Sequence, residues 1–299
     1  MTSELSANAR RLAAALEPFA GQVYFSPECH AAYVELGFEP SPGDFGTGVQ
    51  LPNGPAYFTS RGSVMGQVPG ELVASAFAVF NPEAVVPAVD FGWSITDAPS
   101  ICDARTRGAT AQLVRILGEQ PDGLDTVIAL LARACEVLRP EGRPLYSGLL
   151  SLDMPEDAMG KAWRLADMLR EYRGDAHTAA WTSAGFDATE IGLLTELYWG
   201  MPMRTYVRTR AWSDDQLDAA EARLTARGVL ADGAFSDTGY ATRDAVEVAT
   251  DAQMQGPIDA LGNDLDTVCS ILEGWDKEIR AQGGYLPGGP HELANAARA

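Results

Sequence analysis

A long amphipathic pattern that runs into a cluster of polar side chains sets the first limit on the fold. Apolar residues recur at three- and four-residue steps over residues 159–172, as in a helix with one buried face. The stretch Leu169–Trp181, LREYRGDAHTAAW, follows directly. Gly174 is predicted to end this helix and Asp175 to cap a second helix, which runs to about residue 185. The pattern therefore predicts a corner between two helices.

This corner is the candidate site. His177 is expected in the first turn of the second helix, where the helix dipole favours a neutral imidazole. Trp181 follows one turn later, and Arg170 and Arg173 lie in the last turn of the first helix. Such side chains can hold an anionic or aromatic small molecule. The alternative is structural: a cap, two solvated arginines and a buried histidine.

Composition indicates a folded, acidic protein. A chain of 299 residues can bury a large core, and its length favours two packed domains. The 22 basic and 41 acidic residues give a net charge of −19, which repels a phosphate backbone. DNA binding would therefore need a local basic patch.

The sequence lacks the patterns typical of metal sites, cofactor sites, exported proteins and membrane spans. The four cysteines form neither a CxxC pair nor a metal-type spacing, so a reduced, cytoplasmic setting is expected. The first residues lack a signal-peptide pattern, and no apolar run reaches the ~18 residues of a membrane span. Dinucleotide, phosphate-loop and HExxH motifs are missing, and there are only three histidines. We expect no membrane partner, no cofactor and no metal.

Helix start and stop signals suggest four parts. These are an N-terminal helical domain, a central helical region, a winged helix-turn-helix domain, and a C-terminal helix with its tail, at residues 1–105, 106–185, 186–256 and 257–299. In the first part, Asn81 and Pro82 begin a helix directly after the apolar run VASAFAVF. This pair of helices leaves open a second helix-turn-helix-like unit near the N-terminus.

The winged unit is predicted from the order of its elements. Helices are expected over residues 188–199 and 202–210, and Ser213 is expected to cap a third helix that ends at Gly228. A turn at Asp232-Gly233 then joins two short strands before a last helix. Three helices followed by a hairpin is the order of a winged helix-turn-helix. The fold class is therefore mainly α, with a winged helix-turn-helix at the C-terminal end.

Four stretches in combination resemble an actinobacterial family of winged-helix proteins that stands beside the MarR-like regulators. They are YFTSRGSVMGQVPGELVASAFAVFNPEAV, GRPL, LREYRGDAHTAAW and RAWSDDQLDAAEARLTARGVLADGAFSDTGYATRDAVEVATD. The resemblance covers roughly residues 23–257. It implies an all-helical protein with a helix-turn-helix at its C-terminal end, and a DNA-binding role that follows mostly from that fold.

The resemblance also places individual residues. The family's RGD-x-H element falls on Arg173, Gly174, Asp175 and His177, and its arginine before a small-residue turn falls on Arg61. Ala176 and Tyr172 stand where the family often has glycine and histidine. These departures would reshape a pocket, so the identity of a ligand does not transfer.

The predicted groove-reading helix is poor in cations. Its charged residues are Asp214, Asp215, Asp218, Glu221, Arg223 and Arg227, and the wing adds Asp232 without a lysine or arginine. A surface of this kind lacks the electrostatic attraction that supplies most non-specific DNA affinity. A basic cluster at Arg204, Arg208 and Arg210 keeps a regulator among the hypotheses, but we expect DNA to be a disfavoured partner.

Three functions follow from these residues. The first is binding of a small aromatic or anionic molecule in an inter-domain helical pocket closed by Arg61, Asn81, Trp163, Arg170, Arg173, His177 and Trp181. The second is a cofactor-free enzyme of specialised metabolism that uses the same pocket, with His177 as general acid or base. The third is a ligand-responsive MarR-like regulator.

For Arg61 and for the pair Glu247 and Asp251, a structural role is an alternative to a functional one. Arg61 either contacts a ligand or forms an ion pair with an acidic residue elsewhere in the fold. Glu247 and Asp251, one helical turn apart, either do acid–base chemistry or form ion pairs with a neighbour such as Arg243.

Overall fold

A computed structural model describes residues 3–46 and 48–286, and almost all of its regular structure is helical. The helices are α1 (Glu4–Gly21), α2 (Pro27–Glu35), α3 (Gly54–Gly62), α4 (Gly70–Phe77), α5 (Pro82–Ile95), α6 (Ala98–Leu117), α7 (Leu124–Cys135), α8 (Pro144–Leu150), α9 (Ala158–Ser183), α10 (Ala188–Tyr198), α11 (Asp214–Ala226), α12 (Asp237–Ala252), α13 (Gln255–Leu261) and α14 (Leu265–Ala281). The strands β1 (Leu230–Ala231) and β2 (Ala234–Phe235) form a small antiparallel sheet. The mainly α fold class is confirmed.

Helix α9 is continuous, so the predicted corner at Gly174 is wrong. The helix runs for 26 residues, and neither Gly174 nor Asp175 interrupts it. A glycine inside a helix costs only about 1 kcal/mol relative to alanine, which packing on neighbouring helices can offset. Helix α9 packs against α1, α6, α7, α8 and α12. Tertiary contacts therefore override the local stop signal, and His177 lies in the helix interior rather than in a first turn.

The apolar side chains form two buried clusters, and α9 takes part in both. The larger cluster draws on α1–α9, α13 and α14, and it includes Trp163. The smaller cluster lies within the winged unit and includes Leu194, Leu217 and Val246. Ala180 and Trp181, in the last turn of α9, belong to this second cluster. Helix α9 thus connects the helical body to the winged unit, while the division of the chain into four parts stays a prediction.

The winged unit has the predicted order, with one difference. Ser213 caps α11 through its side chain, and the two-residue turn at Asp232 and Gly233 joins β1 to β2. Leu230 pairs with Phe235, and Ala231 pairs with Ala234. The helix predicted over residues 202–210 is reduced to a short 3-10 turn at Val207–Arg210. This connection is held by Glu196, whose carboxylate accepts hydrogen bonds from the backbone N–H groups of residues 204 and 207.

The N-terminal helix pair also forms as predicted. Helix α4 ends at Phe77, and Asn81 caps α5 by accepting a hydrogen bond from the Glu83 backbone N–H at 3.0 Å. Pro82 occupies the first helical position, where its missing N–H costs nothing. Across the described residues, none of the helices combines the length and apolar character that crossing a bilayer would require.

One ion pair is buried deep between α6 and α9. Arg105 donates to Asp167 through both terminal nitrogens, at 2.8 and 3.1 Å, and the two side chains are at most 1% exposed. The guanidinium also lies 4.8 Å from the ring of Trp163. A buried pair of this kind fixes how the two helices pack, because separating the charges would leave each one unpaired in the core.

We predict that Gly174→Ala stabilises the protein by about 0.5–1 kcal/mol, because alanine suits a helix interior better than glycine. Gly174 is exposed, and an added Cβ would meet its nearest neighbour at 3.8 Å. The matched control is Gly108→Ala in α6, whose Cβ would come within 2.6 Å of the Cys29 backbone and should destabilise the protein. Urea unfolding measures both. Loss of stability in Gly174→Ala would contradict a continuous α9.

We predict that Asp167→Ala lowers the free energy of unfolding by about 3–5 kcal/mol, because it leaves the Arg105 guanidinium buried without a counter-charge. The control is Asp103→Ala, which removes the partner of Arg107 in a pair whose side chains are 59% and 63% exposed. That exposed pair should contribute less than about 1 kcal/mol. Equal losses in the two variants, measured by urea unfolding, would show that Arg105 is not the buried charge described here.

Candidate functional site

Trp163 and Asn81 are hydrogen-bonded within the fold, and Trp181 is packed in an apolar cluster. Trp163 is fully buried, and its indole N–H donates to the Ala20 carbonyl at 3.1 Å. Trp181 is buried in the core of the winged unit. The Asn81 side-chain amide donates to the Ala211 carbonyl at 3.0 Å and so ties the start of α5 to the segment before α11. These three residues of the predicted pocket therefore belong to the packing of the fold.

Arg61 and Arg170 converge on one buried carboxylate. Arg61 donates to Glu171 at 2.7 and 2.9 Å, and Arg170 donates to the same side chain at 3.0 Å. Arg170 also makes a two-point contact with Glu17 of α1, at 2.9 and 3.0 Å. Burial alone would raise the pKa of Glu171, but the two guanidinium groups lower it to about 2. The ion-pair interpretation of Arg61 is confirmed.

Arg173 and His177 face a second cluster, on α12. Arg173 donates to Asp251 at 3.0 Å and lies 3.7 Å from Glu247. His177 Nδ1 lies 3.1 Å from the Thr250 hydroxyl and 4.0 Å from Glu247. These contacts join the middle of α9 to the last helix of the winged unit.

Both carboxylates of this second cluster are paired with arginines. Arg243 pairs with Glu247 at 2.7 Å, which confirms the ion-pair interpretation of that carboxylate. Burial lowers the pKa of His177 to about 4; Glu247 opposes this shift, and the arginines at positions 243 and 173 add to it. The imidazole is therefore neutral at pH 7. The cause is burial, because the helix start predicted beside His177 does not exist.

A cleft lies beside these clusters, between α4, the connection before α8, and the second half of α9. Its volume is about 390 Å³, within the usual range for small-molecule sites. Its lining residues are Ser75, Ala76, Gly142, Pro144, Asp175, Thr178, Ala179, Thr182 and Ser183. None of the seven residues of the predicted pocket is among them. Whether those seven bind a ligand stays a prediction.

Asp175 is the one carboxylate among the described residues that line this cleft. Its side chain is buried, and it accepts a hydrogen bond from the Tyr146 backbone N–H at 3.0 Å, so it caps α8 from a distant part of the chain. Burial raises the pKa of Asp175 to about 7; Glu171 adds to this rise, while the Tyr146 N–H and Arg61 oppose it. A carboxyl group with this pKa can carry or release a proton near neutral pH.

Sequence reasoning missed the cleft because it broke α9 in two. Asp175, Thr178 and Thr182 recur at three- and four-residue steps, which places them on one helix face. Only in a helix that runs through Gly174 is Asp175 an interior residue of that face, because a helix that began after Gly174 would use Asp175 as its cap. The spacing of these three residues therefore indicates a shared helix face, but the stop signal at Gly174 assigned Asp175 to a cap instead.

The winged unit carries many more acids than cations. Residues 186–256 contain twelve carboxylates and six arginines, a net charge of −6. Arg204 pairs with Asp218 and Glu221, each at 2.6 Å, and Arg208 pairs with Asp214. Two of the three arginines of the predicted basic cluster, Arg204 and Arg208, are thus neutralised by the acids of α11.

The remaining arginines of this unit are also engaged. Arg223 and Arg227 contact Glu190 at 3.2 and 2.8 Å, and Arg210 stacks on the rings of Phe80 and Tyr206. Among the described residues of the unit, no arginine is left without a carboxylate or an aromatic partner. The surface offers little to attract a phosphate backbone.

Comparison with known proteins identifies a family for this chain. No curated protein and no solved structure matches it. The Helix-turn-helix family matches residues 9–287, which is most of the chain and includes both buried clusters. Affiliation with MarR-like regulators or with actinobacteria stays a prediction. The chain belongs to the helix-turn-helix family.

Proposed function

We propose that this helix-turn-helix protein binds a small polar molecule with a protonated amine, in the cleft beside Asp175. The observation that carries the proposal is the buried Asp175 carboxyl in the wall of a cleft of about 390 Å³. Its hydrogen bond comes from a backbone N–H, and no ion pair to it is found among the described residues. An ammonium group would supply the missing counter-charge.

The other lining residues fit such a ligand. Ser75, Thr178, Thr182 and Ser183 offer hydroxyl groups, each of which can donate or accept a hydrogen bond. Ala76, Pro144 and Ala179 add apolar surface. None of the described residues that line the cleft is an arginine or lysine, so a cationic ligand would meet no like charge from them.

An anionic ligand at the residues predicted from sequence has less support. Binding to Arg61, Arg170 or Arg173 would require an anion to displace carboxylates that are themselves nearly buried. Breaking a buried pair leaves an uncompensated charge and is strongly unfavourable. The enzyme hypothesis rests on His177, which does not line this cleft.

A ligand-responsive regulator of the MarR type is the second candidate. The order of α10, α11, hairpin and α12 favours it, and so does the family. Helix α9 supplies a physical route, because Thr182 lines the cleft while Trp181, the preceding residue, is packed in the core of the winged unit. A ligand that moves the end of α9 would therefore act directly on that unit.

We predict that ethanolamine and putrescine bind to the wild-type protein, whereas ethylene glycol and butanediol do not, in isothermal titration calorimetry. Asp175→Asn should weaken amine binding at least tenfold. Asp122→Asn, in an exposed turn before α7, makes the same change in net charge and should leave affinity unchanged.

The pH dependence gives an independent check. The amines stay protonated at pH 6 and pH 8, but Asp175, with a pKa of about 7, is mostly protonated at pH 6. Binding must then expel that proton, so affinity should be about tenfold weaker at pH 6 than at pH 8. Equal binding of amines and alcohols, or unchanged binding in Asp175→Asn, would exclude this site.

We predict no salt-sensitive mobility shift with duplex DNA, even at about 50 mM salt, because five of the six arginines of the winged unit are paired with carboxylates and the sixth, Arg210, is stacked on two aromatic rings. The electrophoretic assay should use the DNA upstream of the protein's own coding sequence, with and without the amines. A retarded complex that weakens steeply as salt rises would favour the regulator instead.

A further inference from the structure

Four aromatic side chains form a partly exposed cluster on the winged unit, away from the cleft residues. This aromatic face consists of Tyr198 and Trp199 at the end of α10, Phe235 of β2 and Tyr240 of α12. The ring of Tyr198 lies 4.8 Å from that of Trp199 and 5.7 Å from that of Tyr240, and Phe235 meets Tyr240 edge-on at 5.8 Å. Tyr240 is 52% exposed.

The buried side of the aromatic face already contacts one guanidinium, that of Arg243. Arg243 lies 4.6 Å from the centre of the Tyr198 ring, and Tyr198 in turn stacks on Tyr240 with an angle of 24° between the rings. The stack therefore runs from the Arg243 guanidinium to the Tyr198 ring and then to the Tyr240 ring. The second ring is half exposed to solvent, where a guanidinium from another molecule can stack on it as Arg243 stacks on Tyr198.

Two aspartates lie on the same helix face as Tyr240. Asp237 and Asp244 lie one helical turn before and after Tyr240 on α12, and Asp244 accepts a hydrogen bond from the Tyr198 hydroxyl at 2.6 Å. Residues 228–242 contain no lysine or arginine. The nearby cations Arg10 and Arg243 are held by acids at 2.7 Å. The face thus combines exposed aromatic surface with unneutralised negative charge.

We propose that the aromatic face docks an arginine-bearing segment of a partner protein, with one guanidinium stacked on Tyr240 and paired with Asp237 or Asp244. A phosphate-bearing partner, such as nucleic acid or an anionic membrane, would be repelled by these carboxylates. An arginine suits both features of the face, because its planar cation stacks on rings and pairs with carboxylates at the same time.

The test uses a fluorescein-labelled peptide in which three arginines alternate with glycine, and a second peptide with neutral citrulline at the same positions. Fluorescence anisotropy should show binding of the arginine peptide and none of the citrulline peptide. Tyr240→Ala should weaken binding about fivefold or more, whereas Tyr240→Phe, which keeps the ring, should bind as the wild type does.

The tyrosine variants separate this proposal from general attraction to an acidic protein, because neither changes the net charge. Val248→Ala, an exposed change on the same helix, is the matched control and should have no effect. Circular dichroism must show that all variants keep the wild-type helix content and melting temperature. Unchanged peptide affinity in Tyr240→Ala would overturn the proposal.

A second copy of the chain is the competing occupant of the face. Sedimentation velocity distinguishes it, since a dimer that Tyr240→Ala dissociates would show that the face is buried between copies. That result would also overturn the docking of an arginine-bearing segment. A protein that sediments as a monomer and binds the arginine peptide through Tyr240 is the expected outcome.

Discussion

Paired charges along one helix hold this protein together. Helix α9 presents Asp167 to Arg105 of α6, Glu171 to Arg61 of α3, and Arg173 to Asp251 of α12. Each charge is nearly removed from water, and a buried charge is tolerated only when an opposite charge and hydrogen bonds accompany it. The neighbouring helices can therefore pack on α9 only in positions that complete these pairs. Asp175 differs, because its buried carboxyl has a backbone N–H as partner and no cation.

This difference links the architecture to the proposed function. Asp167, Glu171 and Arg173 of α9 each have an oppositely charged partner on another helix. Asp175, beside the cleft, has no such partner among the described residues. The winged unit shows a related contrast, because five of its six arginines pair with carboxylates, while the acids beside Tyr240 have no arginine or lysine partner among the described residues. Both open positions suit cationic partners. We therefore propose cationic rather than phosphate-bearing partners for this helix-turn-helix fold.

Local patterns predicted much of the fold and little of the site. The caps at Asn81 and Ser213 and the turn at Asp232-Gly233 follow from residue preferences that act over a few positions, and each is confirmed. The Arg243–Glu247 pair lies within one helix, so its spacing alone indicated it. Contacts such as Arg61 with Glu171 join residues 110 positions apart, and no local pattern encodes them. The helix end predicted at Gly174 is wrong for the same reason, because packing against helices distant in sequence keeps α9 continuous.

The pKa of the Asp175 carboxyl, measured by carbon-13 NMR from the pH dependence of its side-chain carbonyl shift, tests the account most directly. A continuous α9 buries this carboxyl in the wall of the cleft, which raises its pKa to about 7. If Asp175 instead capped a separate helix, the exposed backbone N–H groups of that helix would stabilise the carboxylate and lower its pKa. A midpoint near 7 is the predicted result, and a midpoint at or below that of an ordinary aspartate, about 3.9, would contradict both the continuous helix and the site built on it.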